Sequence, residues 1–328
     1  MNRREIVAAL GSAAAIPWLS SVASAQQPPP TVGFINAGSP AQFASLVDSF
    51  RQGLADAGYV EGRNVLIEYR WAEGHYDRLA GIAADLVNRR VAVIASTGGP
   101  AVMEASAAAT TTIPVVFLGG DVALKVGVIN SLNRPGGNVT GIVMSVSELL
   151  SKCLQFLSEL VPKESEIAIL LNPNAPETAQ DRQQIEAAAR QIGRRIFIVT
   201  AGNPAEIDAV FAKLAERRAG GMAVQGDLVY TNRRNEMVAL AAQYAIPTIY
   251  MWSEFVTVGG LIAYGNSLAE GYRQVGGYTA RVLQGAKPAE LPVMQPTRFR
   301  FSINLKTAKA LGITIPPSLL ILADDVVE

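Results

Sequence analysis

The chain has 328 residues, with 28 basic and 28 acidic side chains, one histidine and one cysteine. The charge balance gives no field that would favour nucleic acid, and one histidine with one cysteine excludes a histidine- or cysteine-rich zinc cluster and an internal disulfide. The length suffices for two domains with proper cores.

From the N-terminus, Arg3 and Arg4 precede a short apolar stretch, residues 6–19, and Ala23-Ser24-Ala25 forms an A-x-A cleavage site before Gln26. Gly11, Ser12 and Pro17 interrupt that stretch, which is also too short for a bilayer. Residues 1–25 are therefore expected to be a secretory signal peptide, and the mature chain a soluble periplasmic protein. The paired arginines suggest twin-arginine export but lack the usual serine and Phe-Leu, so the export route stays open. No cysteine stands at the cleavage site to carry a lipid.

Strand and helix then alternate. VGFINAG (32–38) is followed by the helix FASLVDSFRQGLADAGY (43–59), in which Gly58 can take the left-handed cap. The strands NVLIEYRW, VAVIAST and IPVVFLGG follow, separated by helical segments. Their apolar runs lack alternation, as in parallel sheets buried on both faces. NRPGGNVTGIVMS (133–145) reads as a crossing between lobes. The helix SELLSKCLQFLSELV then places Cys153 among apolar residues at helical spacing, as a small buried side chain. The theme resumes with EIAILLNP, RIFIVTA, GMAVQGD and IPTIYMW, each strand followed by a helix except the last. VTVGGLIAYGNS (256–267) reads as a crossing back, and residues 292–303 as a third.

The two halves share short matches at a nearly constant offset. VGFI at 32–35 is matched by IAIL at 167–170, Gly62-Arg63 by Gly193-Arg194, Arg89-Arg90 by Arg217-Arg218, and Ile113-Pro114 by Ile246-Pro247. That spacing is far too long for a solenoid and points to two copies of one α/β lobe. The expected fold class is α/β, two Rossmann-like lobes with parallel central sheets joined by a three-crossover hinge. The first lobe would comprise 26–142 plus 257–292, and the second 143–256 plus 293–328.

Ligands of doubly wound sheets sit at the carboxyl ends of the strands, and a cleft between two lobes is a binding site for small molecules. This selects the loops at Asn36–Ser39, Ser96–Pro100 and Gly119–Asp121 in the first lobe, and at Asn172–Asn174, Gln225–Asp227 and Met251–Ser253 in the second, with Asn36, Ser39, Ser96, Thr97, Gly98, Asp121, Asn172, Asp227, Trp252 and Tyr264 as candidate contacts. Backbone N–H groups and hydroxyls of Ser39, Ser96 and Thr97 suit a carboxylate, although either Ser39 or Thr97 could serve only as a helix cap. Asp121 and Asp227 end strands at matching places, where an ammonium could be held. Trp252, Tyr230 and Tyr264 could stack on an aromatic body, or could equally be core. No catalytic arrangement emerges: His75 lies in the turn EGHYD, and G-x-S-x-G, G-x-G-x-x-G and P-loop patterns are missing. No cofactor is expected.

SFRQGLADAGYVEGRNV, EYRWAEGHYDRLAGIAADLV, SLNRPGGNVTG, AIPTIY, SLAEGYRQVGGY and INLKTAKALGITIPPSLL together resemble the exported solute-binding proteins of ABC importers, in the family that includes tryptophan- and tyrosine-binding members. The resemblance covers essentially the whole chain. It implies a type I periplasmic-binding-protein fold, capture of a small solute, and delivery to an ABC permease in the inner membrane by a monomer. Carried over by position, it points to Ser39, Thr97, Asp121 and Asp227 as ligand contacts. The chain reads Asp121-Val122 where the family often has Asp-Pro. A binder feeding a sensor or chemoreceptor, and a periplasmic hydrolase, are the alternatives.

Overall fold

The computed structural model describes residues 28–120, 127–144, 147–175, 178–296 and 299–328. The expected signal peptide lies outside the described residues. Strands β1 (Thr31–Asn36), β2 (Leu66–Trp71), β3 (Val93–Thr97), β4 (Val115–Gly119) and β5 (Val139–Val143) form a parallel sheet in the order β2-β1-β3-β4-β5. Strands β6 (Ile167–Leu171), β7 (Ile196–Thr200), β8 (Gly221–Val224), β9 (Thr248–Tyr250) and β10 (Ile262–Gly265) repeat that order, β7-β6-β8-β9-β10, in a second parallel arrangement. This sheet continues through β11 (Arg300–Asn304), antiparallel to β10, to β12 (Asp325–Val327).

The repeat read in the sequence is thus a repeat of topology, and it reaches single backbone positions. Arg90 and Arg218 each take φ 54° at the end of the helix before β3 and β8. Gly62 and Gly193 match likewise, with φ 78° and 66°. Strands β3, β4 and β6 are buried along their whole length, as their unalternating apolar runs require when helices cover both faces. Helix α1 (Pro40–Asp56) buries Phe43, Leu46, Val47, Phe50 and Leu54, spaced to form one stripe. Each such aromatic or leucine contributes about 1.5–3 kcal/mol by leaving water. Helices α2 (Leu79–Asn88) and α3 (Pro100–Ala109) complete the first lobe's early elements, and α4 (Ser147–Leu160) opens the second. Cys153 on α4 is fully buried, and burial pushes its thiol up.

The chain changes lobe directly after each fifth strand. Helices α5 (Thr178–Gln191), α6 (Pro204–Glu216), α7 (Leu228–Asn232), α8 (Arg234–Gln243) and α9 (Glu254–Thr257) belong to the second half, and α10 (Leu268–Leu283) returns to pack along α1. The segment 257–265, assigned to the first lobe on its sequence, instead ends in β10, hydrogen-bonded within the second sheet. Its glycines suggested a crossing, yet Gly265 serves close packing: a Cβ there would lie 2.0 Å from the Met251 carbonyl oxygen. Where β10 gives way to α10, Glu254 of the second half accepts a hydrogen bond from the Ala269 N–H (3.1 Å). The third crossing begins at Met294, whose N–H and carbonyl pair with Gly141 and Val143 at the first sheet's edge. Helices α11 (Leu305–Ala310) and α12 (Pro317–Leu322) close the chain. Among the described residues, no helix is long and apolar enough to cross a membrane.

Candidate ligand-binding site

The carboxyl ends of the two sheets border a cleft of about 900 Å³. In the first lobe, Gly98 and Gly99 turn β3 into α3 with φ 98° and 102°, a region that disfavours side chains, and Pro100 opens the helix. Phe43, Leu118, Met144, Leu268 and Tyr272 give the cleft apolar lining from the first lobe, and Trp252 adds an aromatic ring from the second, beside Gly226. The rest of the second lobe's wall is largely polar. Asn172 donates its backbone N–H to Gln225 Oε1 (2.8 Å), and Gln225 Nε2 donates to Asp181 Oδ2 (2.6 Å). Asn172 Oδ1 accepts from the Asn174 N–H at 3.0 Å, which fixes the loop after β6. The cleft thus offers both apolar surface and polar groups to one solute.

Asp227 stands at the N-cap of α7, where its Oδ1 accepts from the Val229 N–H (2.7 Å). Burial raises its carboxyl above the usual range, and the Val229 N–H and the Asn172 side chain only partly offset this. Tyr76 faces it from the first lobe. Burial and the Asp227 charge push the Tyr76 phenol up to about 12. At the mouth, Gln42 of α1 donates from Nε2 to the Asn232 carbonyl (3.2 Å), and Arg234 Nη1 and Nη2 donate to the Gln42 carbonyl (3.4 and 3.3 Å). Ser39 Oγ orients Gln42 by donating to Oε1 at 2.8 Å. The bonds of Gln42 with Asn232 and Arg234 join the two lobes across the cleft.

Of the residues expected from the sequence, Ser39, Gly98, Asn172, Asp227 and Trp252 line the cleft. Asp121 lies outside the described residues. Asn36, Ser96 and Thr97 are buried beneath the cleft floor, at 0, 1 and 0 % exposure. Asn36 Nδ2 donates to Thr97 Oγ1 (3.0 Å) and to the Tyr272 hydroxyl (2.8 Å), and Asn36 Oδ1 accepts from the Gly38 N–H (2.7 Å). Ser96 Oγ accepts from Ser106 on α3. The strand ends hold the floor, and the loop residues one or two positions later reach the ligand space. Tyr264 is also displaced from expectation: on β10 it packs against Phe156, Phe299 and Phe301 in the second lobe's core. Tyr230 is fully buried, its hydroxyl donating to the Ala201 carbonyl. Gln42, Tyr76, Glu104, Asp181 and Tyr272 were not singled out in the sequence, because each lies inside or at the start of a helical element rather than on a strand-end loop.

Thr97→Val is accordingly expected to act on stability. It removes the acceptor of one Asn36 N–H and the donor to the Ile35 carbonyl (3.3 Å), leaving buried polar groups unpaired at about 1–3 kcal/mol. Thermal melting of the ligand-free protein should show a lowered midpoint. An unchanged midpoint with lost binding would return Thr97 to the ligand contacts.

The sequence pattern of the family described as ABC transporter substrate binding protein matches residues 38–327. The chain is 23% identical over 271 residues to a tyrosine-binding protein of Clostridioides difficile strain R20291, spanning 80% of this chain and 75% of that protein. A conserved domain protein from Vibrio cholerae superposes with a TM-score of 0.81 at 23% identity, covering 90% of this chain and 99% of the other. A Streptococcus ABC domain in complex with L-Trp superposes with a TM-score of 0.80 at 24% identity, covering 91% and 100%. Both likenesses show the type I periplasmic-binding architecture of two lobes.

Proposed function

From the premise that the chain belongs to the ABC transporter substrate-binding protein family, we infer that it captures an amino acid with an aromatic or apolar side chain, or a closely related solute, in the inter-lobe cleft for an ABC importer. The family consists of solute-binding proteins and not of enzymes, so the chemistry is recognition without turnover. The observation that supports the reading is a cleft that combines aromatic and apolar lining, Phe43 and Trp252 among it, with a carboxyl group at Asp227. An aromatic ring against the first and an ammonium at the second satisfies both. Tyrosine binding by the Clostridioides difficile relative, and L-Trp in the Streptococcus domain, agree with that class. In this reading the protein is exported, its leader is removed after Ala25, and it works as a monomer that presents its closed form to an inner-membrane permease.

Titration calorimetry of the processed protein with a panel of aromatic and apolar amino acids tests the reading, together with small-angle scattering at saturation. Saturable heat and a reduced radius of gyration are expected. A panel without heat at millimolar concentration would overturn the amino-acid class, and heat with an unchanged scattering profile would overturn closure.

A further inference from the structure

The charge of the cleft is one-sided. Among the described lining residues, Glu73, Glu104, Asp181 and Asp227 are acidic, Glu73 being paired with Arg78 at 3.7 Å, and Arg233 alone is basic. Arg233 is already engaged, its guanidinium paired with Glu236 and lying 3.8 Å from Asp208. Asp227 has neutral partners only, the Val229 N–H and the Asn172 side chain. Glu104 on α3 has no hydrogen-bond or ion-pair partner among the described residues, and it stands one turn beyond Pro100.

A free amino acid brings two charges into such a space. Its ammonium meets Asp227. Its carboxylate has no unengaged cationic side chain among the described lining residues, and the N–H groups of the Gly99–Ala101 turn lie on the helix that carries Glu104. Glu104 is exposed to solvent in this form, and its repulsion of a like charge strengthens as closure of the lobes excludes water. The carboxylate is thus the half of the zwitterion that the site opposes.

We propose that this cleft selects a net-cationic solute: an aromatic or apolar amine whose carboxylate is absent or masked, such as an arylalkylamine or an amino-acid amide. The assignment rests on the cleft being the solute site and narrows the solute class given above. Glu104 and Asp227 act as the charge filter, with Asp227 taking the ammonium and Glu104 disfavouring an anion. Specificity then arises as much from what is repelled as from what is held.

Titration calorimetry of the processed protein at pH 7 with tyramine, tyrosinamide and tyrosine, and with tryptamine, tryptophanamide and tryptophan, decides it. The amine and the amide should bind at least about tenfold tighter than the matching amino acid. Glu104→Gln should shrink that ratio by improving the amino acid, while thermal melting stays at the parent value. An amino acid that binds as tightly as its amide, or tighter, overturns the charge filter and leaves the amino-acid reading standing. Heat from none of the six compounds at millimolar concentration overturns both.

Discussion

Asp227→Asn is expected to weaken binding of any ammonium-bearing ligand by about ten- to a hundredfold, while the ligand-free protein melts no lower than the parent at pH 7. The affinity term follows from the loss of a hydrogen bond to a charged group, about 1.5–3 kcal/mol. The stability term follows from burial. The folded-state carboxyl lies above its ordinary value of 3.8, chiefly through desolvation. A raised carboxyl stabilises the fold at pH below the unfolded value, and this contribution is lost as pH rises through the folded value. Ionising this buried side chain therefore carries a cost, which an ammonium relieves. Asparagine removes that cost and still caps α7, since the two residues are nearly equal at this position. Melting from pH 4 to 8 should show a flatter profile for the variant. A residual slope will remain, because burial also raises Glu254. A marked fall in melting temperature at pH 7, or unaltered affinity for an amine, would remove Asp227 from the role assigned to it.

Gly276→Val is expected to give the largest loss of stability. Helices α1 and α10 approach backbone to backbone: a Cβ on Gly276 would lie 2.2 Å from the Phe50 carbonyl oxygen and 3.0 Å from the Gly53 Cα. From the other side, a Cβ on Gly53 would lie 1.9 Å from the Arg273 carbonyl oxygen. Backbone cannot move aside as a flexible side chain can, so the helices must separate. Overpacking of this kind costs about 1–3 kcal/mol and occasionally more, and the upper end is expected here. Because α10 also carries Leu268 and Tyr272 to the cleft, affinity should fall together with stability. Calorimetric melting of Gly276→Val beside Gly277→Val, whose Cβ meets nothing within 4 Å, separates the packing effect from helix propensity. Equal melting of the two variants would show that the close approach is not what holds the helices together.

Much of this architecture can be read from the residues because both lobes solve the same local problem twice. A helix must end and reverse into a strand, and Arg90 and Arg218 do so with the same left-handed backbone. The candidate site is less legible, because polar residues at strand ends have two destinations that sequence does not separate. Asn36 and Thr97 stand opposite each other in register, and their side chains satisfy each other below the floor. Gly98, directly after them, is what reaches the solute space. Tyr264 likewise resembled a loop residue until β10 proved to be the counterpart of β5, where its ring joins the core beside Phe156. Tyr76 and Glu104 face the cleft from the elements that follow the loops, a relation only tertiary packing creates.

The hydrogen bonds from Arg234 to the Gln42 carbonyl lie at the rim, whereas the Glu254–Ala269 bond lies where the chain passes between lobes. When two bodies turn about a shared axis, points near the axis scarcely travel and points at the rim travel furthest. On the closure proposed above, the rim bonds exist in one arrangement only, and their free energy adds to that of the solute. Retention time and chemical recognition would then be separate quantities, the first set by the bonds between lobes at residues 42, 232 and 234 and the second by the rest of the cleft. A rim that is too adhesive would close empty lobes and sequester the site, and one too weak would lower apparent affinity by the fraction of molecules held shut. The bond from Gln42 to the Asn232 carbonyl and the two from Arg234 to the Gln42 carbonyl, at 3.2–3.4 Å, are the contacts on which that balance would turn.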